Sequence, residues 1–350
     1  MIAAFRNLSD RLLGRGSAAL TVPPLDGALK PNNRLEDAAE GIAASAPCAL
    51  VAQDGRVLWA EGSRVMSETG PVADAGGEIT AMAASPAGRL AIAAEGRGIA
   101  IDGAVPAALA GLSCVTALAF DGEGVLWIAI GSTANPFAQW SRDFLEMRRT
   151  GRVLRYDPAG QGAKVVADRL AFPFGLLPTP AGLVVSEAWA KRLIRLDAAG
   201  RITVLLDDLP GYPAGLAPAS RGGAWLALFA PRGPLLELVL REPAYRRAMM
   251  AEVAPEFWIA PALRSGHSFR EPMQGGALKQ MGILKPWAPS RSCGLVVELS
   301  PDFVPVQSLH SRAGGRRHGV TSVLEREGVL WVAAKGGDEV LRLDLGRGTR

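Results

Sequence analysis

The side chains best suited to acid–base chemistry recur at the ends of short strand-like runs. Glu61, Glu95 and Glu187 each end such a run, Lys335 follows another, and His318 directly precedes a further one. A carboxylate, or an imidazole with its unperturbed pKa of about 6.5, can take a proton from water near neutral pH. The pattern therefore offers His318, or a carboxylate such as Glu187, as a candidate base that could activate water.

The same residues also have structural interpretations, and the sequence leaves both open. His318 fits a loop histidine bonded to a backbone carbonyl. Glu187 fits an ion pair with Arg192 across a tight connection between two strands. Glu61 and Glu95 each precede a glycine, which is typical of solvated turns.

The elements that position these side chains form a repeat. A turn ending in glycine is followed each time by a short β-type run, and another run precedes the turn. Without two long insertions, the copies are about 40 residues apart, the size of a four-stranded propeller blade. No helix of about 10–15 residues separates successive strands, which excludes a parallel α/β fold. The sequence thus predicts an all-β, six-bladed β-propeller, with repeats marked by Gly55, Gly88, Gly124, Gly182, Gly223 and Gly328.

This repeat also predicts where a site lies. In a propeller, the starts of the inner strands and the ends of the second strands surround one mouth of the central channel, where loops commonly bind ligands. The predicted inner-strand starts include Thr80, Thr116, Phe174, Ala214 and Thr321. The predicted catalytic residues are His318, Glu187 and Thr321, and the predicted substrate-binding residues are Glu61, Glu95, Thr116, Phe174, Tyr212 and Lys335.

Two segments fall outside the repeat. Residues 1–39 are predicted to be an amphipathic segment and linker with a short N-terminal helix, because apolar residues occupy positions 5, 8, 12 and 13. Residues 40–350 are predicted to be the propeller, with a partly helical insertion in the fifth blade at about 232–292. The segment around 19–22 is the expected outermost strand of the last blade.

Positive charge is concentrated in these two segments. Residues 241–291 carry eight basic and four acidic side chains, within a net charge of +4 for the whole chain. Because Phe257, Trp258 and Trp287 lie in the same stretch, the insertion fits a lid over the channel, a contact with anionic lipid, or structural filler. Peripheral membrane contact through residues 1–20 is a further alternative.

Composition excludes several other classes of protein. The mixed charges form no basic track for nucleic acid, and no apolar run is long enough to span a bilayer. No phosphate-binding glycine loop or nucleophile elbow is present, so no cofactor is expected. Without a secretory signal the expected location is the cytoplasm, and Cys48, Cys114 and Cys293 are too scattered for a disulfide framework or a zinc site.

Four segments together resemble the strictosidine synthase-like propellers, a group that includes gluconolactonases and paraoxonases. Their order and spacing match this family over about residues 40–345. The resemblance implies a six-bladed propeller and, for the wider group, hydrolysis of lactones or esters. The segments are Gly151–Asp157, Leu170–Gly175, Val185–Trp189 and Leu209–Pro213.

The sequence departs from this family at its functional positions. Thr321 occupies the place where strictosidine synthases carry a catalytic glutamate, and a threonine cannot exchange a proton near neutral pH. In the metal-dependent lactonases a cation is held by a glutamate, whose position falls near Ser45 or Ala46 here, and by an asparagine and an aspartate, where this chain has Phe174 and Ala214. Since neither side chain offers an oxygen ligand, no metal ion is expected at this place.

Three hypotheses about function remain open from the sequence. The first is a hydrolase acting on a small lactone or ester, with Thr116 or Thr321 orienting the substrate. The second is a non-catalytic propeller that binds a small ligand or a protein. The third is an amine–aldehyde condensing enzyme with a relocated base.

Overall fold

The blades form a closed ring around a central channel. In the part of the chain that the structure describes, five four-stranded antiparallel sheets and one three-stranded sheet surround the channel, and the inner strands of neighbouring blades contact one another all the way round. The predicted six-bladed β-propeller is confirmed. The computed structural model describes residues 22–39, 41–160, 162–265, 271, 279–280, 283–284, 291–312 and 314–346.

The first half of the propeller contains blades 1 to 3, each of which begins with its inner strand. Blade 1 is formed by β2 to β5, blade 2 by β6 to β8 and blade 3 by β9 to β12. The strands are β1 (Ile42–Ala43), β2 (Cys48–Gln53), β3 (Arg56–Glu61), β4 (Arg64–Ser67), β5 (Gly70–Asp74), β6 (Ile79–Ala84), β7 (Leu90–Ala94), β8 (Gly98–Ile101), β9 (Val115–Phe120), β10 (Leu126–Ile130), β11 (Gly151–Tyr156) and β12 (Ala163–Leu170).

The second half contains blades 4 to 6 and one separate hairpin. Blade 4 is formed by β13 to β16, blade 5 by β17, β18, β21 and β22, and blade 6 by β23 to β25 together with β1. The strands are β13 (Pro173–Thr179), β14 (Gly182–Glu187), β15 (Arg192–Leu196), β16 (Ile202–Leu206), β17 (Gly211–Pro218), β18 (Ala224–Pro231), β19 (Lys279–Gln280), β20 (Ile283–Leu284), β21 (Leu295–Leu299), β22 (Pro305–His310), β23 (Val320–Arg326), β24 (Val329–Ala334) and β25 (Glu339–Asp344).

The glycine that marks each repeat lies in the turn between an inner strand and the second strand. All six marker glycines have a left-handed backbone, with φ angles between 75° and 125°. An L-residue with a Cβ seldom adopts this conformation, so the turn selects glycine. The repeat in the sequence is therefore a repeat of hairpin turns.

Tryptophans at one position of the repeat pack between blades. Trp59 and Trp331 lie in one hydrophobic cluster that joins blades 1 and 6, and Trp127 packs against the core between blades 3 and 4. Two of these indole N–H groups donate to carboxylates of their own blade: Trp59 Nε1 to Glu61 Oε1 over 2.8 Å and Trp127 Nε1 to Asp121 Oδ2 over 3.0 Å.

Two insertions carry the helices. Between β10 and β11, a 3₁₀ turn (Phe137–Gln139) leads into α1 (Trp140–Glu146). Between β18 and β21 lie α2 (Pro234–Arg241), α3 (Pro243–Glu252) and a second 3₁₀ turn (Pro255–Phe257), so the predicted helical insertion in blade 5 is confirmed. The helix predicted within residues 1–20 lies outside the described residues. Two more 3₁₀ turns are Gly27–Leu29 and Lys335–Gly337.

A short N-terminal strand closes the ring. In β1, Ile42 pairs with Val340 of β25, so chain segments from both ends of the propeller share blade 6. In the described part of the chain, the outermost strand of blade 6 is β1, which pairs with Val340 and Glu339 of β25. The expectation that residues 19–22 supply this strand falls almost wholly outside the described residues and stays a prediction. Of that segment, only Val22 lies within the described residues.

One buried arginine holds the closing segment in place. Arg317, 4% exposed, donates to the backbone carbonyls of Leu35 and Ala38 at 2.7 and 2.8 Å and forms an ion pair with Glu339 at 3.0 Å. A buried guanidinium needs several acceptors to offset its lost hydration. These contacts fix the chain just before β1 against blade 6.

The segment before β1 also packs on the outer strand of blade 5 beside a buried histidine. Leu35 N donates to the carbonyl of His310, and Asn32 accepts from the N–H of the same residue. The His310 ring bonds to Ser308 Oγ over 2.9 Å, and burial lowers the pKa of His310 to about 4. The neutral imidazole is thus part of the contact between this segment and the ring.

We predict that acid destabilises the protein partly through His310. Because the unfolded histidine takes up a proton near pH 6.5 and the folded one only near pH 4, the stabilisation is complete above pH 6.5. It is lost as the pH falls towards 4, by at most about 3 kcal/mol. Urea unfolding between pH 7 and 4 measures this change.

The control is His310→Gln, which keeps a polar side chain that does not titrate. Its free energy of unfolding is expected to fall less steeply over the same pH range than that of the original protein. Parallel curves for the two proteins would contradict the role of His310.

Candidate functional site

A cavity of about 270 Å³ occupies one end of the central channel. Residues from the inner strands of all six blades line it, and both insertions contribute to its walls. Loops and strand ends on a rigid ring are a common setting for binding sites. Among the described residues, the lining residues used below are Cys48, Leu50, Glu78, Thr80, Thr116, Phe137, Ala138, Trp140, Phe172, Phe174, Trp189, Gly215, Phe229, Leu263, Thr321, Ser322 and Lys335.

A β-bulge places residues of every inner strand at the cavity. In each blade, the pairing between the inner and second strands skips one or two residues just after the inner strand begins. A bulge leaves its extra residue outside the ladder and redirects the side chain. The skipped positions are Ala49–Leu50, Thr80, Thr116, Phe174, Ala214–Gly215 and Thr321.

The wall of the cavity has two chemically different sides. Blades 6, 1, 2 and 3 contribute hydroxyl and thiol groups, which we call the hydroxyl side. Blades 4 and 5, the connection between β14 and β15, and the blade 3 insertion contribute six aromatic rings, which we call the aromatic side. The hydroxyl side consists of Cys48, Thr80, Thr116, Thr321 and Ser322, and the aromatic side of Phe137, Trp140, Phe172, Phe174, Trp189 and Phe229.

The aromatic side is a packed stack of rings. Trp189 lies between Phe172 and Trp140, with centroid distances of 4.5 and 6.3 Å and interplanar angles below 30°. Phe174 and Trp140 each meet Phe229 edge-on at 5.8 and 5.7 Å. These offset and edge contacts are the favourable arrangements for aromatic pairs, so the rings hold one another in place.

A buried aspartate in α1 orients the central ring of this stack. Asp143, 1% exposed, accepts a hydrogen bond from Trp189 Nε1 over 3.0 Å and another from Asn135 Nδ2 over 3.1 Å. On the same helix, the carbonyl of Leu145 accepts from Arg246 of α3, so the two insertions contact each other. The aromatic wall is therefore fixed before any ligand binds.

The three threonines of the hydroxyl side differ in their hydrogen bonding. Thr116 Oγ1 donates to the carbonyl of Pro173, 2.5 Å away on the neighbouring blade. Thr80 Oγ1 and Thr321 Oγ1 are buried and have no partner within the described structure. An unsatisfied buried hydroxyl costs about 1–3 kcal/mol, so such a pair in one cavity is uncommon in a folded protein.

Two charged side chains lie at the cavity wall, on blades 2 and 6. Glu78 is exposed, and the Lys335 ammonium lies 5.7 Å from the centre of the Phe137 ring. Cys48 lies on blade 1, between these two blades, and burial raises the pKa of its thiol. The charge of Lys335 opposes this effect, and the charge of Glu78 adds to it. Cys48 is therefore a protonated thiol at neutral pH, not a nucleophilic thiolate.

Four of the residues predicted from the sequence meet at this cavity. Thr116, Phe174 and Thr321 are bulge residues of inner strands, and Lys335 follows the second strand of blade 6. Their roles in substrate binding and orientation stay predictions. The sequence also placed Thr80 at an inner-strand start but assigned it no role.

His318 lies outside the cavity wall. The ring is 3% exposed, with Nδ1 2.7 Å from Ser292 Oγ and Nε2 2.9 Å from the carbonyl oxygen of Arg312. The structural alternative, a histidine bonded to a backbone carbonyl, is thus confirmed as a contact. A catalytic role for His318 stays a prediction and requires a route from the ring to the channel.

Glu187 is fully buried at the end of β14 and does not line the cavity. One carboxylate oxygen accepts from the Ala171 N–H over 2.8 Å, and the other accepts from Arg192 over 2.6 Å. The predicted structural ion pair with Arg192 is confirmed. Its catalytic role stays a prediction.

The remaining predicted residues, Glu61, Glu95 and Tyr212, are not among the residues that line the cavity. Glu61 accepts from the indole of Trp59 and from the Ser45 N–H, and Glu95 accepts from the Cys114 N–H. Burial raises the pKa of Glu95. Tyr212 is fully buried behind the aromatic side; its hydroxyl lacks a partner in the described structure, and burial raises its pKa.

Several cavity residues were missed from the sequence. Glu78 immediately precedes the inner strand β6, much as His318 lies two residues before β23, and the same repeat argument would have found it. Phe137 and Trp140 belong to the blade 3 insertion, for which the repeat gives no position. Trp189 follows Glu187 in a segment that the sequence had already singled out.

The blade 5 insertion reaches the cavity through Leu263. Trp258, expected as a membrane or lid contact, is 4% exposed, and its indole donates to the carbonyl of Val253. Trp287 and residues 1–20 lie outside the described residues. No helix in the described part of the chain is both long and apolar enough to cross a bilayer. Contact with a membrane surface stays a prediction.

Two of the positions at which the family resemblance implies ligands of a metal ion carry no oxygen-bearing side chain here. Phe174 occupies one bulge, and Ala214, whose carbonyl accepts from Ser186 Oγ over 2.7 Å, lies in another. Within the described ranges, no group of three His, Cys, Asp or Glu side chains is arranged to hold a metal ion. Calcium binds several oxygen ligands, and the side chains of Phe174 and Ala214 offer none, so these residues do not fit a calcium ion.

Comparisons with known proteins agree with this architecture. Residues 117–196 match the family model for strictosidine synthase. This stretch of the chain contains three of the four segments that carry the resemblance. No curated protein sequence matches the chain. The resemblance to the strictosidine synthase-like propellers is therefore supported by an independent sequence match.

Solved structures with the same fold include three enzymes. A putative gluconolactonase has a TM-score of 0.53 and 14% identity over 87% of this chain and 90% of its own. A gluconolactonase from Xanthomonas campestris has a TM-score of 0.50 and 17% identity over 88% of this chain and 87% of its own. A luciferin-regenerating enzyme has a TM-score of 0.50 and 12% identity over 86% of each chain. At these identities, the likeness establishes the fold and leaves the reaction open.

We predict that divalent cations do not stabilise this protein. A cation bound with a dissociation constant of about 10 µM would raise the free energy of unfolding by about 2.7 kcal/mol at about 1 mM. Melting temperatures with Ca²⁺, Mg²⁺, Zn²⁺ or EDTA are expected to agree within about 1 °C. A rise of several degrees with one of these ions, reversed by EDTA, would show that a cation site exists.

Proposed function

We propose that this strictosidine synthase-like propeller binds a small, mainly apolar molecule in its central channel. The observation that carries the proposal is the two-sided cavity, with six aromatic rings on one side and hydroxyl groups on the other. Apolar pockets with a few fixed polar groups are typical of small-molecule sites. A flat ring system can pack on the aromatic side while its polar edge faces the hydroxyl side.

The rigidity of the wall supports this proposal. Phe144 and Leu145 of α1 and Met249 of α3 share one hydrophobic cluster with blades 4 and 5, and Asp143 fixes the indole of Trp189. A preformed pocket spends little binding free energy on ordering its own side chains. The cavity is therefore ready to accept a ligand without a large rearrangement.

The neutral dye N-phenyl-1-naphthylamine, which fluoresces in apolar surroundings, provides a direct test. At about 0.3 kcal/mol per non-hydrogen atom, a ligand of this size is expected to bind with a dissociation constant of about 0.2 mM or lower. Ala138→Trp places a bulky ring at an exposed position of the cavity wall and is expected to weaken binding by about tenfold or more.

The matched control is Ala134→Trp. Ala134 is an exposed residue of the same insertion but does not line the cavity, so this variant is expected to bind the dye normally. Equal affinities of Ala138→Trp, Ala134→Trp and the original protein would contradict the proposal, because the dye would then bind elsewhere.

Hydrolysis of a lactone or ester is the second candidate function. It is favoured by the presence of Glu78 and Lys335 on the wall of the same cavity. The Glu78 carboxylate would take a proton from water as the water oxygen attacks the carbonyl carbon. Lys335 and a threonine hydroxyl would stabilise the negative charge that develops on the carbonyl oxygen. The ester C–O bond then breaks and Glu78 gives its proton to the leaving oxygen, which leaves an acid and an alcohol and restores the carboxylate.

A panel of lactones and aryl esters, with and without EDTA, tests this second function. If hydrolysis occurs here, Glu78→Gln is expected to lower kcat by about 100-fold while leaving the melting temperature unchanged, since Glu78 is exposed. Turnover equal in the two proteins would exclude Glu78 as the base, and no turnover with any substrate would leave binding alone.

His318→Ala tests the catalytic role predicted from the sequence. Because the ring is buried between Ser292 and the Arg312 carbonyl, this change is expected to lower the melting temperature. Loss of turnover without any loss of stability would instead establish His318 as a catalytic residue.

A further inference from the structure

Three equivalent positions of the ring carry threonine, but only one of their hydroxyls is used by the fold. Thr116, Thr80 and Thr321 are the bulge residues of blades 3, 2 and 6. The Thr116 hydroxyl bonds to Pro173 and so links blade 3 to blade 4. The other two hydroxyls are buried without a partner in the described structure, although both residues line the cavity. The fold thus gains no hydrogen bond from either hydroxyl.

We propose that Thr80 and Thr321 are the hydrogen-bond donors that recognise an uncharged carbonyl group of the ligand. This inference rests on the proposed binding function and names the ligand class: an apolar ring system that carries a ketone, amide or ester carbonyl. The rings pack on the aromatic side, and the carbonyl oxygen accepts from one or both hydroxyls. A turn about χ1 exchanges the methyl and hydroxyl of a threonine and brings the donor to the cavity surface.

The polar groups next to the two hydroxyls already take part in hydrogen bonds. Between them lies blade 1, where the Leu50 N–H already donates to Ser322 Oγ over 3.0 Å. The Cys48 thiol is directed at the carbonyl of Ile79, 3.6 Å away. Ser322 Oγ thus already accepts a hydrogen bond and the Cys48 thiol already has an acceptor. The hydroxyls of Thr80 and Thr321 have no partner in the described structure, and each can donate to a ligand carbonyl oxygen.

The charges at the wall favour an uncharged ligand. Glu78 lies two residues before Thr80 along the chain, and Lys335 lies on the same blade as Thr321, so charges of opposite sign flank the hydroxyl side. A carboxylate group that gained from Lys335 would also be repelled by Glu78. A charged group would lose its hydration in a largely aromatic cavity, whereas a neutral carbonyl loses much less.

The test compares 1-indanone with indane, which have the same two-ring skeleton and differ by the carbonyl group. The measured quantity is the ratio of their dissociation constants, obtained by equilibrium dialysis. Thr80→Val and Thr321→Val keep the shape and remove a hydroxyl. Each is expected to weaken 1-indanone binding by about fivefold relative to indane, the effect of one hydrogen bond.

Two further variants serve as matched controls. Thr116→Val removes a hydroxyl from the same ring of positions, but this hydroxyl already bonds to Pro173, so the ratio is expected to stay unchanged while the melting temperature falls. Thr80→Ser keeps the hydroxyl and is expected to retain the ratio of the original protein. Thr80→Val and Thr321→Val are expected to melt at or above the original temperature, because each removes an unpaired buried group.

The outcomes separate this inference from the proposed function. If the ratio of dissociation constants changes in Thr80→Val and Thr321→Val but not in Thr116→Val, the result supports Thr80 and Thr321 as the two donors. If both compounds bind but the ratio is the same in Thr80→Val and Thr321→Val as in the original protein, the inference is overturned. It is also overturned if Thr116→Val changes the ratio by the same factor. In either case the proposed binding function still stands. Failure of both compounds and of N-phenyl-1-naphthylamine to bind overturns the proposed function and this inference together.

Discussion

The site depends on one geometric constraint, the β-bulge near the start of every inner strand. A strand in register would direct alternate side chains into the two faces of its blade, where they pack against neighbouring blades. The skipped residue breaks this alternation beside the channel, and closure of the ring brings bulges from all six blades to one cavity. The pairing of β1 with β25, held by Arg317, therefore contributes to the site as well as to stability, because an open ring would separate the bulge residues.

The bulge also explains how one fold can carry unrelated chemistry. The family resemblance implies oxygen ligands for a metal ion at positions where this chain has Phe174 and Ala214, and a glutamate where it has Thr321. These residues lie in bulges, where a side chain is held by few neighbours of its own strand. Their replacement leaves the ladders of the blades intact. The resemblance implies a charged, metal-binding channel, whereas the channel of this chain is aromatic and hydroxyl-lined, so the fold alone does not determine the reaction.

The sequence predicted the ring well because its signal is local and repeated. Each hairpin turn requires a left-handed residue, and the marker glycines report these turns directly. The same repeat placed Thr116, Phe174 and Thr321 at the cavity. It placed Glu61 and Glu187 there too, but the second strand lies one layer further from the channel, and their carboxylates bond within the blade to Trp59 and Arg192.

The insertions follow no repeat. The positions of Trp140 and Trp189 depend on packing between distant segments and on Asp143, and no spacing in the sequence reveals such contacts.

The central claim is that a ligand binds in this channel, between the aromatic side and the threonines of the hydroxyl side. A crystal structure of the protein with 1-indanone measures this most directly. The account predicts ring density against Trp189 and Phe174, with the carbonyl oxygen within hydrogen-bond distance of Thr80 or Thr321. Density for the compound outside the channel, or a metal ion coordinated inside it, would contradict the account.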